Sequence, residues 1–85
     1  METLAILKAD LKEASTNGDS EKAELILSRI PQPSKANWLL LIRSYVVSSD
    51  PKGALSVASR MVEKEMISIS DLRTVVLREF SYAGN

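Results

Sequence analysis

Apolar residues recur every three or four positions along this chain, and short polar or proline-bearing segments interrupt the runs. Leu4, Leu7 and Leu11, followed by Ala14, share one side of a helix and predict a first element over residues 3–16. Asn17-Gly18-Asp19 then reads as a stop and a restart. Glycine suits the left-handed position after a helix, and Asp19 or Ser20 can cap the next one. A second helix is predicted over residues 20–30, with Ala23, Leu25, Ile26, Leu27 and Ile30 apolar. Pro31 and Pro33 end it, because proline lacks the amide donor and disfavours helix in the residue before it.

Ser34 opens a third helix, over about residues 35–48, that contains Trp38, Leu40, Leu41, Ile42, Tyr45, Val46 and Val47. Its β-branched and aromatic content also suits a strand, but every flanking segment is helical and no hairpin partner exists. Apolar residues cover most of its circumference, so it is expected at the centre with neighbours on both sides. Asp50-Pro51 is a strong start signal, a capping carboxylate followed by proline at the first helical position. The fourth helix should run to about Met66 through Ala54, Leu55, Val57, Ala58, Met61 and Val62. A short connection, Ile67 to Ser70, offers Ser68 or Ser70 as a cap for a fifth helix over residues 71–82, closed by Gly84-Asn85. The expectation is one all-α domain over residues 1–85: about five helices, as two stacked antiparallel hairpins plus a C-terminal helix, α-solenoid-like.

Composition narrows the function. There is no cysteine and no histidine. Disulfides, thiolate metal sites, and the commonest general base and metal ligand are therefore excluded. Eleven Lys and Arg balance eleven Asp and Glu, so no overall field draws in a polyanion. The longest apolar stretch, Trp38 to Ile42, is five residues, far from a membrane span. The N-terminal stretch carries Glu2, Asp10 and Glu13 and no arginine before Arg29, unlike a transit peptide. If Met1 is the native start, cytosol or nucleus is the expected setting. An organellar one would require a transit peptide already removed.

Sliding the chain against itself by 31 residues aligns the two helical pairs. Leu7 falls on Trp38, Leu11 on Ile42, Ala14 on Tyr45 and Asp19 on Asp50. Further on, Ala23 meets Ala54, Ile26 meets Val57, and Ser28-Arg29-Ile30 meets Ser59-Arg60-Met61. Two helices per unit at such a period mark a stacked helical repeat. On these residues the sequence resembles the pentatricopeptide repeat family, whose architecture the tetratricopeptide family shares. Trp38, Leu41, Ile42, Tyr45, Ala54, Leu55 and Met61 fill the pentatricopeptide pattern. The first unit keeps Gly18, Ala23, Ile30 and Pro31, and Thr74 to Leu77 with Phe80 begin a third.

The pentatricopeptide resemblance implies single-stranded RNA binding, with a base-reading polar residue directly after the aromatic of the first helix. Leu39 stands there, and a leucine cannot hydrogen-bond a base. Lys8, the corresponding residue of the preceding unit, suits phosphate without discriminating bases. Tetratricopeptide-type hairpins mostly bind proteins. A protein partner or self-association is therefore the leading expectation, single-stranded RNA the alternative, and no membrane, small-molecule substrate or cofactor is expected.

Candidate contact residues are Lys8, Lys12, Trp38, Leu39, Arg43, Thr74 and Phe80. Stacked first helices would gather Lys8, Lys12, Arg43 and Arg73 on one concave face as a modest phosphate or acidic-peptide site; the simpler reading is a solvated charged face. Trp38, the single tryptophan, is an anchor at an interface or, more simply, a packing residue. Leu39, Val47 and the apolar positions of the fifth helix exceed what so small a chain buries, and an uncovered face would mark a partner or dimer surface. No catalytic set is expected. Ser28 and Ser59 have no histidine to activate them, nothing indicates burial of the Asp10/Glu13 pair, and the three glycines are isolated.

Overall fold

The computed structural model describes residues 3–83, and within them the chain is all-α. The helices are α1 (Leu4–Asn17), α2 (Ser20–Arg29), α3 (Lys35–Val47), α4 (Pro51–Glu63) and α5 (Leu72–Ala83), with a single 3-10 turn, Ile69–Asp71, leading into α5. The expected closure at Gly84-Asn85 lies outside the described residues.

Local chemistry accounts for the helix starts. The Thr3 hydroxyl accepts from the Ile6 amide, and the Asp19 and Asp50 carboxylates accept from the Lys22 and Gly53 amides. Pro51 occupies the first turn of α4, where its missing donor costs nothing. Ser34 and Asn37 form a reciprocal capping box at α3: the Asn37 amide donates to the Ser34 hydroxyl and the Ser34 amide to the Asn37 side-chain oxygen. The cap expected from Ser68 or Ser70 does not form. Their hydroxyls lie 2.9 Å from each other, and Ser68 makes no side-chain cap to the 3-10 turn.

Three helices end in the same way. After α1, the amides of Gly18 and Asp19 reach back to the carbonyls of Ser15 and Ala14. After α3, Ser49 and Asp50 reach Val46 and Tyr45; after α4, Glu65 and Met66 reach Val62 and Met61. This crossed pair of bonds requires a left-handed residue at its centre, and Gly18, Ser49 and Glu65 adopt φ of 69°, 61° and 60°. The turns after α1 and α3 thus match atom for atom 31 residues apart, down to capping Asp19 and Asp50 with ψ of 80° and 81°. The third such turn places the end of α4 at Glu63, three residues before the expected Met66. Nothing in Lys64-Glu65 disfavours helix locally; the chain turns there and buries Ile67 against the core.

Connections of two and three residues force α1–α2 and α3–α4 into antiparallel hairpins. Helix α3 packs against all four others. It is flanked by α1 and α5, while α2 lies on α1 and α3, and α4 on α3 and α5. The outcome is a layer of three helices backed by two, in a body measuring 39 × 28 × 17 Å. Leu11, Leu41, Ile42, Val57 and Met61 are sealed at its centre. Ala23 and Ala54 are fully buried at equivalent places in α2 and α4, where a larger side chain would push the helices of each pair apart.

Candidate functional groove

The buried side of α3 carries Asn37, Trp38, Leu41, Ile42, Ser44 and Val46. Its other side, Ala36, Leu39, Leu40, Arg43 and Val47, is a stripe at helical spacing that the two-helix layer does not cover. α1 and α5 rise on either side of this stripe and make it the floor of a groove of about 540 Å³. Lys12 stands on the α1 wall, and Val75, Arg78, Glu79 and Tyr82 on the α5 wall, with Lys35 at the N-terminal end of α3. A shallower extension of about 370 Å³ between Thr16, Arg43, Val47 and Tyr82 carries the groove to the far end of α3.

Arg43 links the floor to the α5 wall. Its Nη2 donates to both oxygens of Glu79 at 3.2 and 3.3 Å, and its guanidinium carbon lies 5.8 Å from the Tyr82 ring centroid. Glu79 is only 4% exposed, so its carboxylate depends on this partner for a counter-charge. The Nε of Arg43 is buried with no acceptor. Among the described residues no ion pair engages Lys12, Lys35 or Arg78.

Of the seven residues expected to contact a partner, Lys12, Leu39 and Arg43 come together in this groove. Lys8 and Thr74 are exposed on α1 and α5 and do not line it. Phe80 is half-buried against the core. Trp38 is 4% exposed and faces away from the groove, with the cations of Arg60 and Lys64 at 4.9 and 5.6 Å from its ring centroid. Of the four cations expected to share a face, Lys12 and Arg43 line the groove, whereas Lys8 and Arg73 do not. Lys35, Arg78, Glu79 and Tyr82 complete it, and sequence reasoning did not single them out. For Arg78, Glu79 and Tyr82, only their i+3, i+4 and i+7 relation to Val75 along α5 hinted at a common face, and nothing marked Lys35.

Among the described residues, no group of three or more Asp and Glu is arranged to hold a metal ion, and no helix is long and apolar enough to cross a membrane. A comparison of the chain with protein-family models, characterised proteins and solved structures finds no match.

Proposed function

We propose that this chain is a non-enzymatic interaction module, a pair of helical hairpins of the tetratricopeptide kind that grips a protein partner in the groove over α3. The observation that carries this reading is the apolar stripe between two helical walls, with Ala36 and Val47 exposed and Leu39 and Leu40 half-buried. Apolar side chains left accessible in a concave site favour occupation by another apolar surface. A helix laid in such a groove buries alternate turns against the floor.

Two further observations support a binding role over a catalytic one. The single carboxylate lining the groove, Glu79, is held by Arg43, which leaves no free acid or base pair there. The matched turns after α1 and α3 support the hairpins as two units of one repeat. Leu39 and Lys8, where the pentatricopeptide resemblance implies base and backbone contacts, lie in the apolar floor and off the groove respectively, which supports protein over RNA.

The test is an amide chemical-shift titration of the isotope-labelled chain with helical peptides that share one leucine stripe and differ in charge. Perturbations concentrated at residues 36–47 and 75–82 are expected, and they should vanish in Leu39→Asp. Shifts scattered elsewhere, or none, would overturn the reading. Mixed-sequence single-stranded RNA that binds in the micromolar range and weakens steeply with salt would replace it by the pentatricopeptide one.

A further inference from the structure

We infer that the groove is built for an acidic amphipathic helix of about three turns, with carboxylates on both borders of its apolar stripe. This rests on the reading of the groove as a protein-docking surface and adds the chemistry of the partner.

Charge carries the argument first. The chain has eleven cations and eleven anions, yet Lys12, Lys35, Arg43 and Arg78 line the groove against Glu79 alone. Glu79 is engaged with Arg43, and among the described residues no ion pair compensates Lys12, Lys35 or Arg78. Four of the eleven cations of a neutral chain thus surround one apolar cleft that holds a single anion. A low-dielectric floor strengthens the field that such cations present to an incoming anion.

Placement carries it further. Lys12 belongs to the α1 wall and Arg78 to the α5 wall, so cations stand on opposite sides of the Leu39/Leu40 floor. A partner with acid on one border only would leave the other wall's cation without a mate. A partner with acid all round would place carboxylates on leucines. Complementarity therefore selects a helix whose apolar stripe meets Ala36, Leu39, Leu40 and Val47 while glutamates or aspartates flank it on both sides.

The floor also sets the length. From Lys35 to Val47 the α3 axis rises about 18 Å, which a helix of about 12 residues spans. Single-stranded RNA would meet the same cations. However, the floor is aliphatic, and the one aromatic ring on the lining, Tyr82, is already faced by Arg43. A base therefore gains little stacking there.

The experiment uses three labelled helical peptides of about 12 residues. They share one leucine stripe and carry glutamate, glutamine or lysine at the stripe's borders. Fluorescence anisotropy against the whole chain should give the glutamate peptide an affinity about tenfold tighter than the glutamine peptide at low salt, with the lysine peptide weakest. The double variant Lys12→Glu/Arg78→Glu, whose helical content is checked by circular dichroism, should reverse that order. Both side chains are exposed and make no ion pair among the described residues, so the described fold does not depend on them.

Equal binding of the glutamate and glutamine peptides, lost in Leu39→Asp, would overturn the acidic partner and leave the groove standing. Failure of all three peptides to bind would overturn both readings. Displacement of the glutamate peptide by mixed single-stranded RNA at lower concentration than by unlabelled peptide would overturn the protein partner in favour of nucleic acid. Self-association that Leu39→Asp abolishes and the glutamate peptide fails to displace would assign the groove to a second copy instead.

Discussion

The guanidinium of Arg60 lies 4.9 Å over the ring of Trp38, while its Nη1 donates to both carboxylate oxygens of Glu24 at 2.9 and 3.0 Å. Glu24 in turn accepts the Tyr45 hydroxyl at 2.9 Å. One arginine on α4 therefore ties together a glutamate of α2 and the aromatic side of α3. Guanidinium suits this place because it is planar, stacks on a ring face, and still offers donors along its edge.

Arg60→Ala should lower stability to urea by about 1–2 kcal/mol, combining the lost ring contact with a partly exposed ion pair. Arg60→Lys keeps the charge but not the planar guanidinium that faces Trp38 while donating to Glu24, and should recover only part of the loss. Lys64→Ala, at the longer distance of 5.6 Å from the Trp38 centroid, should cost about 0.5 kcal/mol or less. Equal losses for the two alanine variants would show that the Glu24 and Trp38 contacts of Arg60 add nothing.

Tyr45 gives the chain a distinct alkaline response. Burial first, then the hydrogen bond and charge of Glu24, push its pKa up to about 12. The folded state thus favours the neutral phenol more than the unfolded state does, whose pKa is near 10. This contribution is complete below about pH 10 and is lost as pH rises towards 12. Tyr45→Phe should be about 1 kcal/mol less stable at neutral pH through loss of the hydrogen bond. It should also fall less between pH 10 and 12 than the parent does. Parallel stability curves for the two proteins across that range would refute this.

Ser15 is fully buried on α1, and its hydroxyl has no partner, whereas the equally buried Ser44 hydroxyl donates to the Leu41 carbonyl at 2.6 Å. Ser15→Ala should therefore stabilise by about 1 kcal/mol, because it removes an unmet polar group with little change of volume. Ser44→Ala should be neutral or mildly destabilising, since it removes a hydrogen bond that is made. Thermal melts should show a raised midpoint for Ser15→Ala and an unchanged or lowered one for Ser44→Ala; matching shifts would argue against the contrast.

The three left-handed turn residues differ in what a side chain costs. Ser49 and Glu65 hold φ of 61° and 60° with a β-carbon in place, so Ser49→Gly and Glu65→Gly should each stabilise by about 0.5–1 kcal/mol. Gly18→Ala should do the reverse, by about 1–2 kcal/mol, because it adds the same strain and sets a β-carbon 2.9 Å from Val47 Cγ1. Urea denaturation of the three variants distinguishes these signs.

Much of the fold could be read from residue order because its signals are local. Asp19, Ser34 and Asp50 act on amides three residues ahead, and Pro31, Pro33 and Gly18 stop or redirect the chain where they stand. Periodicity placed every helix, and the all-round apolarity of α3 anticipated its position among four neighbours. The end of α4 was different: Glu65 turns left-handed although Lys64, Glu65 and Met66 all favour helix, because the bend lets Ile67 reach the core.

The groove lay further from what residue order can express. Lys12, Leu39 and Arg43 were visible as polar or surplus apolar positions on helical faces. Lys35 and Arg78 belong with them only because α1 and α5 dock on opposite sides of α3. The same docking placed Glu79, more than thirty residues on, against Arg43, and so turned an expected free cation into a clasp between α3 and α5. Helix starts and faces follow from contacts within a few residues, which the chain order itself supplies. Which faces meet depends on how side chains pack between elements distant in sequence, and that decides where the free charge and the half-buried leucines come together.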